Sequence, residues 1–129
     1  MKVKINKNKI NLSAIGSKAD IYLYIDERGS KPVELYIESL QEDEQKKIIR
    51  LFKFMLDLGE IKNKEKFKQL EKNIFEFKSE PHRVLCFILQ GFKKKSYVLT
   101  NAFMKEKGKT PKKEILKANK IKKEILLLN

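Results

Sequence analysis

The sequence predicts an α+β fold in which a twisted antiparallel sheet carries a two-helix hairpin and a C-terminal helix. Three observations indicate this: an early strand-like run is followed by two helical patterns, three strand-like runs come next, and a helical pattern closes the chain. Helices and strands that are grouped along the chain are typical of α+β proteins. The length of 129 residues suits a single domain.

The first 19 residues are rich in lysine and asparagine. They predict an N-terminal extension that is either frayed or an extra edge strand, with alternating apolar positions at Val3, Ile5, Ile10 and Leu12. A single domain is predicted over residues 20–129. Its first strand covers residues 21–25, which are β-branched and aromatic.

Two helical patterns follow, joined by a tight turn. Ser30 can cap the first helix, with Pro32 in its first turn. Ser39 and Glu42 have the spacing of a capping box for the second helix, and Gly59 is expected to end it. The apolar stripes that define the two helices are Val33, Tyr36, Ile37 and Leu40, then Ile48, Leu51, Phe52, Met55 and Leu58.

The second half of the chain predicts the rest of the sheet. Residues 60–73 look like a polar connection, with Phe67 and Leu70 as apolar anchors. Strands are then predicted at 74–78, 83–89 and 96–103, with a hairpin loop at 90–95. Residues 83–89 are nearly all apolar, as expected of a central strand.

A final helix is expected after Thr110 as its cap and Pro111 at its first position. Its apolar stripe is Ile115, Ala118, Ile121, Ile125 and Leu128.

The formal net charge of +13 favours a polyanionic partner, which could be nucleic acid, an anionic membrane or an acidic protein. A lysine-rich coding bias that fills exposed faces is the alternative explanation. All but three of the 30 basic residues are lysines, the exceptions being Arg28, Arg50 and Arg83. Arg83 opens the most apolar strand, and arginine binds phosphate through a planar fork that lysine lacks.

Several kinds of chemistry are excluded by composition. His82 is the only histidine and Cys86 the only cysteine, so neither a histidine-rich metal site nor an internal disulfide can form. Phosphate-loop, dinucleotide and zinc-protease motifs are missing. The acidic residues at 38–44 fit a helix start better than a metal site. We therefore expect no metal and no cofactor.

The location is expected to be cytoplasmic, without a membrane partner. No apolar run is long enough to cross a bilayer, and the N-terminus lacks the apolar stretch of a signal peptide. Cys86 lies in an apolar run, which indicates a buried structural thiol.

Several segments resemble HigB-type toxins of the RelE superfamily, including phage-derived members. The run Phe-Met-Lys-Glu-Lys-Gly-Lys-Thr-Pro at 103–111 is similar to the family's F-x-K-K-x-x-K-T-P segment. Further similar segments, in the family's order, lie at 29–33, 68–70, 74–78, 83–85 and 114–118. The resemblance covers about residues 20–127.

The resemblance implies a type II toxin that cuts mRNA on the ribosome, without metal, and that a small antitoxin neutralises, often a helix-turn-helix protein of the HigA type. RNA carries its own nucleophile, the 2′-hydroxyl, so cationic side chains can supply much of the catalysis. We expect Arg83 to hold the scissile phosphate and Lys78 to assist it. Lys105 or Lys107 would act in proton transfer or charge stabilisation, and His82 is a candidate acid or base. The lysines expected to bind RNA are Lys68, Lys93, Lys94, Lys95, Lys109, Lys112 and Lys113.

The chain differs from the family pattern at three positions: Lys78 replaces a frequent arginine, His82 a frequent tyrosine, and Glu106 separates two lysines. Two other functions stay open from the sequence. One is a catalytically inactive basic module that binds RNA or DNA, and the other is a structural protein that binds a partner.

Overall fold

The computed structural model describes residues 4–127 and contains a six-stranded sheet between two helical layers. Its helices are α1 (Pro32–Glu38), α2 (Glu42–Leu58) and α3 (Lys112–Ile125). The strands are β1 (Lys4–Ile5), β2 (Ile10–Ile15), β3 (Ala19–Tyr24), β4 (Phe67–Glu71), β5 (Ile74–Ser79), β6 (His82–Leu89), β7 (Lys95–Met104) and β8 (Leu126–Leu127). A short 3-10 helix covers Lys7–Lys9. The mixed α+β class that the sequence predicts is confirmed.

The six strands lie in the order β2-β3-β7-β6-β5-β4. All neighbouring pairs are antiparallel except β3 and β7, which are parallel. The prediction of a wholly antiparallel sheet is therefore wrong. The pattern of apolar residues along a strand indicates which faces are buried, but it carries no information on the direction of the neighbouring strand.

The sheet separates two hydrophobic cores. On one face α1 and α2 pack through residues such as Val33 and Met55, and on the other face α3 packs through Ala118 and Ile125. Successive side chains of β6 alternate between these cores, with Val84 and Cys86 toward the hairpin and Leu85 and Phe87 toward α3. Burial on both faces confirms the prediction of a central strand here.

The region 60–73 is not only a connection, since it contains the edge strand β4, paired with β5. Phe67 of β4 packs against Phe77 of β5, with ring centroids 4.8 Å apart. Because Lys68 and Gln69 are polar, the sequence of this strand lacks the alternating apolar pattern that predicts a strand. An edge strand tolerates them because one of its sides meets solvent.

The predicted caps of the two hairpin helices are wrong. Lys31 is the residue before α1, and the Ser30 backbone N–H is held by the Asp26 carboxylate at 2.8 Å. α2 is preceded by Gln41, whose N–H donates to Glu44 Oε1 at 3.4 Å, so Ser39 and Glu42 form no capping box. The expected end of α2 is confirmed.

At that end Gly59 adopts the left-handed φ of 79°, and its N–H donates to the Met55 carbonyl oxygen. A residue with a β-carbon would be strained in this conformation.

Residues near the N-terminus lie on the sheet and beside α3. β2 is the outermost strand and pairs with β3, while β1 pairs with β8. Val3 and Leu128, which the sequence assigns to a strand and a helix, are outside the described residues. Between residues 4 and 127, no helix has both the length and the apolar character needed to span a membrane.

Candidate functional site

Three of the basic residues singled out by the sequence meet at one end of the sheet. Lys78 and Arg83 are direct cross-strand partners on β5 and β6, so their side chains share the α3 face. Just beyond β7, the Lys105 N–H donates to the Pro81 carbonyl oxygen at 2.8 Å. We call Glu76, Lys78, Glu80, Arg83 and Lys105 the sheet-end cluster.

Arg83 is the buried centre of this cluster, with 2% of its surface exposed. Its Nη2 donates to Glu80 Oε1 at 2.6 Å, and its Nη1 donates to the His82 carbonyl oxygen at 3.0 Å. Its Nε lies 3.8 Å from Glu76 Oε1, and within residues 4–127 it has no hydrogen-bond partner. The guanidinium charge is therefore directed at carboxylates of the protein.

Glu76 is buried to the same degree and joins the cluster to the loop before α3. The Thr110 hydroxyl donates to Glu76 Oε1 at 2.6 Å, while Lys78 Nζ lies 4.0 Å from Oε2. Thr110 is thus not the helix cap that the sequence predicts, because Pro111 precedes α3 and the helix begins at Lys112. The bond to Glu76 fixes one end of the loop 105–111 on the sheet.

Glu80 is the exposed member of the cluster, with 73% of its side chain accessible in the turn between β5 and β6. The hydrogen bond from Arg83 lowers the pKa of Glu80, and the nearby charges of Lys105 and Lys78 act in the same direction. The carboxylate is therefore ionised and open to a ligand. Sequence reasoning missed this residue, although its position three before the buried Arg83 was a usable signal.

His82 lies on the opposite face of the sheet from Arg83, since consecutive strand residues alternate. It is 2% exposed and is held between the two hairpin helices. The Tyr36 hydroxyl donates to Nδ1 at 2.7 Å, and Nε2 donates to Glu44 Oε2 at 2.6 Å. Both ring nitrogens are engaged, so this geometry does not favour His82 as a catalytic acid or base.

The pKa values of both partners of His82 are shifted. Burial raises the pKa of the Tyr36 hydroxyl, which keeps it protonated as a donor. The hydrogen bond from His82 lowers the pKa of Glu44. The arrangement joins α1 and α2 to the start of β6.

The lysines expected to bind RNA fall into separate groups. Those near the sheet-end cluster are exposed on the loop 105–111, at the start of α3 and on β4, namely Lys109, Lys112, Lys113 and Lys68. Lys107, the candidate for proton transfer or charge stabilisation, is exposed on the same loop. Lys68 pairs with Glu76 in the sheet register.

The hairpin residues 93–95 lie at the other end of β7, about 30 Å away for a strand of ten residues. Lys94 is bound there to Asp20 Oδ1 and to the Gly16 carbonyl oxygen, each at 2.9 Å. The structure therefore does not bring this second group to the sheet-end cluster.

The sheet-end cluster combines an accessible carboxylate with cations that surround it. Such a set can accept a proton at Glu80 and stabilise negative charge that develops beside Lys78 and Lys105. Over residues 4–127, no three histidine, cysteine, aspartate or glutamate side chains are placed to share a metal ion.

Comparison with known proteins gives one assignment. Residues 35–123, more than half of the chain, match a family model described as phage derived protein Gp49-like (DUF891). No curated protein matches the sequence.

Proposed function

The chain belongs to the phage-derived Gp49-like family, a RelE/toxin-like family, and we propose that it is a HigB-type toxin of a type II toxin–antitoxin system. The proposed activity is the cleavage of mRNA on the ribosome, in the cytoplasm and without a metal ion. The HigB-type segments of the sequence and the sheet-end cluster support this activity together.

One observation carries the proposal: Glu80 presents an exposed carboxylate to solvent, with Arg83 hydrogen-bonded to it and Lys78 and Lys105 nearby. RNA cleavage by its own 2′-hydroxyl needs a base and a cationic environment for the phosphorane. In the proposed reaction Glu80 takes the 2′-hydroxyl proton as the 2′-oxygen bonds to phosphorus. The bond from phosphorus to the 5′-oxygen breaks, and the leaving oxygen receives a proton from the Lys105 ammonium or from Lys107.

Arg83 takes a different role from the one expected from the sequence. Its buried guanidinium positions Glu80 and keeps that carboxylate ionised, whereas Lys78 and Lys105 are the cations available to the phosphate. Exposed lysines of the loop and α3 would attract the RNA backbone.

The proposed partner besides mRNA is a cognate antitoxin, a helix-turn-helix protein of the HigA type. A gene for such a protein beside this one, whose product abolishes toxicity when both are expressed, supports this part of the proposal. An unrelated neighbour that gives no protection contradicts it.

The nuclease proposal predicts that Glu80→Gln removes toxicity. Loss of a general base lowers cleavage by about 10²- to 10⁴-fold, so bacteria that express the variant should grow normally and keep their mRNA intact. The measurement is growth after induction together with mapping of mRNA ends.

The matched control is Glu27→Gln, an exposed glutamate in the turn after β3, which should stay fully toxic. If Glu80→Gln arrests growth as strongly as the unaltered protein, the carboxylate is not the base. Arrest without any mRNA cleavage would favour the inactive RNA-binding module.

A further inference from the structure

A cleft of about 880 Å³ runs along the side of α2, between this helix and the connecting segment 60–66. We call it the α2 cleft. Its apolar surface comes from Leu51, Phe54, Leu58 and Ile61, and its cations are Lys47, Arg50, Lys62 and Lys66. Ser79 and Glu80 also line it, so the α2 cleft and the sheet-end cluster share Glu80.

The half-exposed aromatic ring in this cleft, Phe54, lies outside both hydrophobic cores of residues 4–127. Phe54 is 50% exposed and Leu58 is 61% exposed, although both lie on a helix whose buried stripe is Ile48, Leu51 and Met55. Arg50 lies four residues before Phe54, so the guanidinium and the ring share one side of α2. A flat apolar surface thus lies beside an exposed cation.

We propose that the α2 cleft binds one unpaired nucleotide of the substrate strand, with its base stacked on Phe54 and its phosphate beside Arg50 and Lys47. This inference rests on the proposed nuclease function and adds the chemical form of the substrate. Four cations against the carboxylates of Glu60 and Glu80 favour an anionic ligand. Stacking on a protein ring requires a base that has left the double helix, so the strand is single.

The shared residue Glu80 places this nucleotide next to the reacting one. A strand that holds a base on Phe54 would also lie beside the Glu80 carboxylate, because both residues line the same cleft. The cleft would therefore set the position of the strand, and Phe54 is a positioning residue that takes no part in proton transfer.

The chain contains no tryptophan, so Phe54→Trp introduces a single fluorescent reporter that preserves the stacking surface. The probe is a single-stranded 2′-deoxy oligonucleotide, which cannot be cut through a 2′-hydroxyl. We expect it to quench the emission of this variant, and we expect an abasic strand of equal length to leave the emission unchanged. The matched control is Phe92→Trp, because Phe92 is 46% exposed on the β6–β7 hairpin, outside the cleft.

Quenching of both tryptophans to the same extent, or quenching by the abasic strand, would overturn the inference. A second measurement uses cleavage: Phe54→Ala and Phe54→Leu should raise KM for RNA by about 5- to 150-fold, with kcat almost unchanged, while Phe54→Trp retains the original KM. Unchanged KM in an active Phe54→Ala enzyme contradicts the nucleotide site and leaves the nuclease proposal intact. Specific quenching in a protein that cuts no RNA supports the site and contradicts the nuclease.

Discussion

Arg83 is a residue whose unusual position the sequence predicts but whose partners it does not. Its position at the start of the most apolar strand marked it as unusual in the sequence, and the structure confirms that it is buried. The sequence could not show its partners, because Glu76 and Glu80 reach it through strand pairing and a turn. Glu80 was missed among 17 acidic residues, although its position three residues before Arg83 was a usable signal.

At the residue scale, the pairing predicts unequal effects of single and double substitutions. Arg83→Met removes one of the two cations beside the buried Glu76 carboxylate and leaves Lys78 Nζ 4.0 Å from it. Removing one partner of a buried pair costs about 3–5 kcal/mol in the free energy of unfolding. The double variant Glu76→Gln with Arg83→Met removes both charges and should recover a large part of that loss. Urea unfolding at neutral pH measures the free energy of unfolding of Glu76→Gln, Arg83→Met and the double variant.

Glu27→Gln is the control for this series, because Glu27 is exposed in the turn after β3 and should contribute less than about 1 kcal/mol. If the double variant loses as much free energy of unfolding as Glu76→Gln and Arg83→Met lose together, then Glu76 and Arg83 do not stabilise each other.

At the scale of elements, helices and central strands were predictable and their ends were not. The apolar stripes of α2 and α3 and the apolar run of β6 were predicted from the spacing of apolar residues. This spacing does not depend on which residue caps a helix. Ser30, Ser39 and Thr110 all suit a capping position, yet each lies one or two residues before the residue that actually occupies it. For Thr110 the competing partner is Glu76, a contact between residues 34 apart in the chain.

The hydrogen bond between Glu44 of α2 and His82 of β6 predicts how the stability of the fold depends on pH. The pKa of Glu44 is lowered in the folded state, so its bond to His82 stabilises the fold above the ordinary glutamate pKa. That stability is lost as the pH falls through the lowered, folded-state pKa. Glu44→Gln should therefore be less stable than the unaltered protein at neutral pH, and the difference should shrink as the solution becomes acidic.

Thermal unfolding of both proteins across the acidic range measures this difference. Glu42→Gln is the control, because Glu42 lies at the start of α2 and pairs only with exposed Lys46. The role assigned to Glu44 is contradicted if the difference in Tm between the Glu44→Gln variant and the unaltered protein stays constant with pH or becomes larger in acid.

At the scale of the whole molecule, the net charge predicted a polyanionic partner but not where that partner binds. The fold separates the lysines into the group beside the sheet-end cluster and the group on the β6–β7 hairpin. The parallel pairing of β3 with β7 also lies beyond sequence reasoning, because it depends on the path of the whole chain. Distribution of charge over the fold is therefore the main addition that the structure makes.

This distribution predicts a localised salt dependence of RNA binding. Replacing Lys107, Lys109, Lys112 and Lys113 by glutamine should reduce the slope of log affinity against log salt by up to about 3, since each phosphate contact on a single strand contributes about 0.7. A control with the same loss of charge replaces exposed lysines near the N-terminus and on α2, away from the loop and α3, namely Lys4, Lys7, Lys46 and Lys53. Equal reductions in both variants would show that the charge acts without a defined site.

The most direct test of the central claim is the chemistry of the cut RNA ends. Ribosomes programmed with a defined mRNA are treated with the purified protein, and the fragment ends are identified by mass spectrometry. Attack by the 2′-hydroxyl predicts 2′,3′-cyclic phosphate and 5′-hydroxyl ends, and no cleavage when a 2′-deoxy nucleotide occupies the cut position. Ends with 5′-phosphate and 3′-hydroxyl groups, or cutting at the 2′-deoxy position, would contradict the mechanism assigned to Glu80 and the lysines around it.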